Sequence, residues 1–292
     1  MRRLLRLFAG VAFILSAAAS TAAAQSQEAR FAITDVVGLE NLQREWGAFR
    51  DTLAQKTGLN IKFYPVPNRT AAVEALNAKQ VDFVLTGPAE YVVFKSRTNA
   101  VPVVGLTRPD YFPTLVTIAG NGINTVQDLK GKKVALGDVG STSRHLGPSQ
   151  IMADQGLIVG RDVQTLHLNR NVAVEAMKRG EVQAIGVNHT DMAALKKRFP
   201  DVALLTIGRG RDMPNDLLLA GAHVDKGTVE SVRKVFVDHS AELISAVLKG
   251  PDENQKYLGM RFFADISDTD YNYVRTMYRT IGQQQFSQFL GE

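Results

Sequence analysis

The sequence predicts an α/β fold of two open sheets joined by two extended hinge crossings. Three observations carry this expectation. Apolar runs of strand length alternate with helix-spaced segments. The alternation pauses at Arg108-Pro109-Asp110-Tyr111-Phe112-Pro113 and restarts, then breaks again at Met213-Pro214-Asn215-Asp216. Strand and helix in alternation mean parallel strands with crossover helices. The expected organisation is a leader over 1–24, a first lobe over 25–114, a second lobe over 115–215, and a return with C-terminal helices over 216–292.

In the first lobe, 31–37 reads as a strand and 41–56 as a helix with Leu42, Trp46, Phe49 and Leu53 on one face, stopped at Gly58. A strand over 61–64 leads to Asn68, which is placed to cap a helix over 69–78. The strand 81–85 ends at Gly87-Pro88, where proline opens a helix to about Ser96, and 101–106 is a further strand. In the second lobe, 114–119 is extended, 126–131 is a short helix, and strands at 163–168, 182–187 and 202–207 alternate with helices at 172–179 and 191–198. Leu217-Leu218-Leu219-Ala220 runs back towards the first lobe. One helix over 226–248 and a last helix over 268–281 follow. Two lobes and two crossings leave a cleft, the usual place for a ligand in such a layout, with hinge closure as the motion it permits.

Composition narrows the function classes. Of 292 residues, 45% are hydrophobic and 22% charged, the balance of a globular protein and not of a disordered one. Arg2, Arg3 and Arg6, the apolar stretch 7–15 and Ala22-Ala23-Ala24 form a secretory signal, with Gln25 the expected mature N-terminus. Removing its three arginines leaves 31 basic against 29 acidic residues, so the formal charge falls from +5 to +2. Together with the lack of a basic run interleaved with aromatics, this argues against nucleic acid as a partner. The chain has no cysteine, which excludes disulfides, a thiol nucleophile and thiolate metal sites.

The stretch Gly137-Asp138-Val139-Gly140-Ser141-Thr142-Ser143-Arg144-His145-Leu146-Gly147 separates the strand-like Lys133-Val134-Ala135-Leu136 from a helical segment over 146–155. Three consecutive hydroxyls beside the free N–H groups of a helix start make an anion site. Capping by Ser141 or Ser143 explains one hydroxyl equally well. A serine nucleophile needs a partnered base, and His145, on the same helix start, points elsewhere. Gly140-Ser141-Thr142-Ser143-Arg144 also lacks the second glycine of a nucleophile elbow. The five histidines are scattered, and neither metal nor cofactor is expected.

Val81-Asp82-Phe83-Val84-Leu85-Thr86-Gly87-Pro88-Ala89-Glu90-Tyr91, Asp128-Leu129-Lys130-Gly131-Lys132-Lys133-Val134 and Gly140-Ser141-Thr142-Ser143 occur in this order after a secretory leader. In this, essentially the whole mature chain resembles the periplasmic phosphate/phosphite/phosphonate-binding proteins of ABC transporters. The resemblance implies the type II two-lobed periplasmic binding fold and a monomeric periplasmic receptor. It implies a small tetrahedral oxyanion held by Ser141, Thr142 and Ser143, and delivery to a transporter permease. It also implies Tyr91 on the facing lobe, where an interfacial core aromatic is the competing reading.

Two positions depart from the family pattern. Arg69 stands where tyrosine is common and Arg170 where histidine is common, so a more cationic pocket than aminoalkyl phosphonates need is expected. His189, after the strand at 182–187, is a further candidate on the second lobe, and Asp35, Glu40, Glu90 and Asp212 are candidates for pairing an ammonium group. A sensor that presents its oxyanion to a membrane histidine kinase would use the same binding chemistry, and a hydrolase with a serine nucleophile would need a base this sequence does not place.

Overall fold

The structure is a computed structural model and describes residues 27–287. The expected leader lies outside the described residues.

The chain opens with β1 (Glu28–Ile33), α1 (Leu39–Thr57), β2 (Asn60–Phe63), α2 (Ala71–Asn77), β3 (Phe83–Thr86), α3 (Pro88–Arg97) and β4 (Val101–Leu106). Glycine stops α1, because Gly58 takes the left-handed conformation (φ 72°) and its N–H closes on Ala54 O. Helix α2 starts two residues later than expected, with Thr70 at its cap position, and Asn68 Oδ1 accepts from Ala71 N–H at 2.9 Å across the preceding turn. Pro88 occupies the first turn of α3, where no N–H is needed.

The chain then crosses to a second sheet with β5 (Pro113–Ile118), β6 (Lys133–Leu136), α4 (Gly147–Asp154), β7 (Gln164–His167), α5 (Arg170–Lys178), β8 (Ala184–Asn188), α6 (Asp191–Arg198) and β9 (Leu204–Arg209). It returns through β10 (Asp216–Ala220), followed by α7 (Lys226–Asp238), α8 (Ser240–Val247), β11 (Phe262–Phe263) and α9 (Asn272–Thr280).

The strand orders are β11-β4-β10-β3-β1-β2 and β7-β6-β8-β5-β9. Neither sheet is purely parallel. Strand β10 arrives from the other lobe and inserts antiparallel between β3 and β4, and β5 lies antiparallel between β8 and β9. Each crossing strand thus lies inverted between two neighbours in the interior of its sheet, and all five residues of β10 are buried. This gives the hinge a rigid root in both lobes.

Apolar residues fill both faces of each sheet. One face of the first sheet carries Trp46, Phe49 and Phe236, and the other carries Phe94, Tyr91, Tyr271 and Tyr278. Leu146, from the second lobe, is fully buried in this last cluster, so an apolar plug joins the lobes beside the cleft. The second sheet is sandwiched between Ile151 and Met152 of α4 on one face and Val174, Met177 and Leu195 on the other.

The single helix expected over 226–248 is two. His239 leaves the helical region (φ −117°, ψ 28°), and the bend turns both apolar stripes onto α1. The last helix begins at Asn272, preceded by one 3₁₀ turn, Asp268–Tyr271. Among the described residues, no helix is long and apolar enough to cross a membrane.

Helix α4, which carries the hydroxyl loop, sits closely on its sheet because Gly186 of β8 has no side chain. A Cβ there would meet Pro148 Cγ at 2.6 Å and Cβ at 2.8 Å. Replacing Gly186→Ala is expected to destabilise the protein by about 1–3 kcal/mol in urea denaturation, the usual effect of overpacking a filled core.

Candidate functional site

A cleft of about 260 Å³ opens between the two sheets, and the hydroxyl loop forms one of its walls. Strand β6 ends at Leu136, Gly140 turns the chain at φ 87°, and Thr142–Leu146 winds as one π-helical turn before α4. The wide turn is visible in the ladder, where His145 N–H and Leu146 N–H both close on Ser141 O, at 3.0 and 2.9 Å. The N–H groups of Thr142, Ser143 and Arg144 precede that ladder and have no carbonyl above them in the turn. A π-turn at this point is a common device at functional sites.

Ser141 occupies the cap position but makes no capping hydrogen bond through its side chain. The capping explanation therefore does not hold for Ser141. All three hydroxyl residues are buried, and all three line the cleft. Thr142 Oγ1 accepts from Ala89 N–H, in the first turn of α3 on the opposite lobe, at 3.0 Å. Two helix starts, one from each sheet, thus meet across the cleft.

The facing wall holds a buried charge cluster. Arg69 bridges Asp35 and Glu90, and Asp35 also accepts from Lys256 Nζ at 2.7 Å. Burial pushes Asp35 up, but Arg69 and Lys256 outweigh it and hold its carboxyl well below the usual range. Burial pushes Glu90 up as well, and here Arg69 does not fully compensate. Glu90 Oε2 has no hydrogen-bond partner and is enclosed. Arg108 stacks on Tyr111 with 3.6 Å to the ring centroid and lies 3.3 Å from Asp216, whose other oxygen accepts from Tyr257 O–H at 2.6 Å. Burial raises the Tyr111 phenol to about 12, so it stays a neutral donor.

The more cationic pocket expected from Arg69 and Arg170 is not what the lining offers. Arg44, Arg69, Arg108, Arg144 and Lys256 line the cleft, but so do Asp35, Glu45, Glu90, Asp138 and Glu253, so the lining is formally neutral. Arg69 lines it as a guanidinium already shared by two carboxylates. Arg170, at the start of α5, lies outside the lining and pairs with Asp191 and Glu253, both at 3.3 Å.

Tyr91 is buried in the aromatic cluster, its ring 4.2 Å from that of Tyr271 and its O–H donated to Asp268 at 2.8 Å. It stands behind the cleft wall, and its neighbour Glu90 forms that wall. His189 is exposed and stacks on Phe112 at 4.4 Å, outside the lining. His145 turns its Nδ1 back to Gly140 N–H at 3.0 Å, and burial lowers it to about 4, so it adds no charge at neutral pH. Glu40 and Asp212 are outside the lining.

Sequence reasoning did not single out Arg108, Tyr111, Arg144, Glu253 or Lys256 as cleft residues. The pause at 108–113 was a signal for the first two, because a hinge strand passes the cleft it opens. Nothing local marks Glu253 and Lys256, which come from a turn about 160 residues after α3 and reach the site only through the fold.

Removing the shared cation is expected to take from Glu90 its ion-pair partner and to leave Asp35 with Lys256. Arg69→Ala should cost about 3–5 kcal/mol at neutral pH, the usual effect of orphaning a buried charge. The wild-type Asp35 pKa is depressed, so its pairing stabilises above the ordinary carboxylate range and is lost as pH falls below it. In the variant the Glu90 carboxyl, already raised by burial, loses the Arg69 charge that lowers it and rises further, so the deficit should shrink as pH falls from about 7 towards 5. Urea melts of both proteins at the two pH values measure this.

Residues 31–271 match the family described as the phosphonate periplasmic substrate-binding protein of ABC transporters. The phosphonates-binding periplasmic protein of Escherichia coli (strain K12) is 23% identical over 240 residues, 78% of this chain and 71% of that protein. Two solved structures share the fold. A binding protein component of an ABC phosphonate transporter from Pseudomonas aeruginosa superposes with a TM-score of 0.71 at 19% identity, over 87% of this chain and 86% of the other. PhnD1 from Prochlorococcus marinus (MIT 9301) in complex with methylphosphonate gives 0.71 at 16% identity, over 88% and 99%. With the two-sheet fold, the inverted crossing strands and the hydroxyl loop on the cleft, the match over 31–271 places this chain in the family of periplasmic phosphonate-binding proteins of ABC transporters.

Proposed function

We propose that this chain captures a small tetrahedral oxyanion, a phosphonate, phosphite or phosphate, in the interlobe cleft and hands it to a transporter permease in the periplasm. Export by a signal peptide over 1–24 and action as a monomer belong to the same reading. No bond is made or broken in the cleft.

The observation that carries this is the Ser141-Thr142-Ser143 turn. Its side chains and leading N–H groups converge on a cleft whose charged groups already balance one another. In a neutral lining, attraction for an anion comes from oriented dipoles and hydroxyls. These hold a charge without a counter-charge having to leave its own partner. We assign the oxyanion contacts to Ser141, Thr142 and Ser143. Arg69 acts as a fixed charge in the facing wall, and Tyr91 as the support behind Glu90. Arg170 acts on the cleft through its partners, and His189 is given no ligand contact.

Methylphosphonate, phosphite, phosphate, 2-aminoethylphosphonate, sulfate and a short sulfonate, screened by thermal shift, test the reading. A true ligand at a hundred times its dissociation constant should stabilise by about 2.7 kcal/mol. Ser143→Ala and Thr142→Val are each expected to weaken it by roughly ten- to a hundredfold in calorimetry, because each removes a hydrogen bond to a charged group. No shift with any of these anions would refute the assignment.

A further inference from the structure

The ion pairs that cross between the lobes among the described residues all end on one side chain, Glu253. Arg170 Nη1 lies 3.3 Å from its Oε1, and Arg144 Nη2 lies 3.8 Å from its Oε2. Both arginines belong to the second lobe and share Asp191, Arg144 with two hydrogen bonds of 2.8 and 2.7 Å and Arg170 with one of 3.3 Å. Two guanidiniums against one carboxylate leave that cluster with a formal charge of +1. Glu253 brings it to zero.

Glu253 is firmly carried by the first lobe. Its N–H and that of Asp252 donate to Glu45 Oε2 at 3.1 and 3.2 Å. Asn254 Nδ2 donates to Glu45 O at 2.7 Å and to Val247 O at 3.1 Å, and both Glu45 and Asn254 are buried. The turn therefore moves with α1 and α8, and its carboxylate moves with it. Its side chain is 32% exposed against 24% for Arg144 and 20% for Arg170, so the pairs are half-shielded and retain part of their Coulomb attraction.

We propose that Glu253 is an interlobe latch that sets how firmly the receptor stays closed, acting through Arg144 and Arg170. The proposal rests on the reading of the chain as a two-lobed oxyanion receptor. When the lobes swing apart, Glu253 leaves and the second lobe shows a +1 cluster beside the hydroxyl turn, a local field that draws an anion in. When they close, Glu253 replaces solvent at the two arginines and the closed state gains their attraction. The ligand then has to supply less of the closure free energy through its own differential affinity. Glu253 is thus a positioning residue for ligand retention.

The chain has no cysteine, so Glu74→Cys on α2 and Lys196→Cys on α6, both exposed, would accept spin labels for an interlobe distance read without any oxyanion. Glu253→Gln and Arg170→Gln, singly and together, are compared with wild type in that background. Methylphosphonate and inorganic phosphate serve as binding probes. Glu253→Gln is expected to lengthen the ligand-free distance and to raise koff and Kd by about tenfold. Adding Arg170→Gln to it should change either by less than about twofold, because the two share one interaction. An unchanged distance, or effects of the two substitutions that simply multiply, would overturn the latch. High salt on the wild-type protein should widen the same distance by screening the pairs, which keeps the test open if a variant folds poorly. A wild-type protein that binds neither probe would count against the receptor reading, while the ligand-free distances still decide the latch.

Discussion

Arg69 sits between two carboxylates inside the protein, and the first lobe's side of the cleft is built around that arrangement. Asp35 follows β1, Arg69 precedes α2, Glu90 lies in the first turn of α3, and Lys256 reaches Asp35 from the C-terminal turn. Four separate stretches of chain are therefore fixed at one point by charge. Burial opposes the charge on Asp35, Arg69 and Glu90, and the Arg69 guanidinium offsets it at both carboxylates. The result is a wall that is polar and rigid but carries no free charge to offer.

A neutral wall changes what the opposite wall has to do. The π-helical turn at Thr142–Leu146 presents N–H groups and hydroxyls, which attract an anion without becoming salt bridges when no anion is there. Thr142 ties this turn to the first turn of α3 through Ala89 N–H, and Leu146 plugs the aromatic cluster of the first lobe. The hydroxyl turn is therefore part of the contact between the lobes. Thr142, one of the three residues proposed to contact an oxyanion, also registers the two lobes against each other.

Much of this was legible in the chain because it is local. Strands and helices follow from apolar spacing, the stop at Gly58 and the turn at Asn68 from backbone chemistry, and the hydroxyl turn from three adjacent residues with glycine before them. The hinge positions were legible as breaks in rhythm. What misled was always a question of partners. Arg69 read as an available cation because its two carboxylates lie 34 and 21 residues away. Tyr91 was placed on the facing lobe by the resemblance alone, and the competing reading of an interfacial core aromatic matches its packing on Tyr271. The bend at His239 was hidden because the apolar spacing runs on through it, and only the curvature of the surface beneath demands it.

By itself the sequence determined the two-lobed α/β class, the order of elements and the place of the hydroxyl turn between β6 and α4, because each of these depends on neighbours along the chain and on the periods of helix and strand. Only the tertiary structure decided the charge of the cleft, the inversion of β5 and β10, and the convergence of Arg144 and Arg170 on Asp191 and Glu253. Those outcomes depend on which distant side chains share one low-dielectric space, and Coulomb attraction there is set by distance in three dimensions and not by separation in sequence.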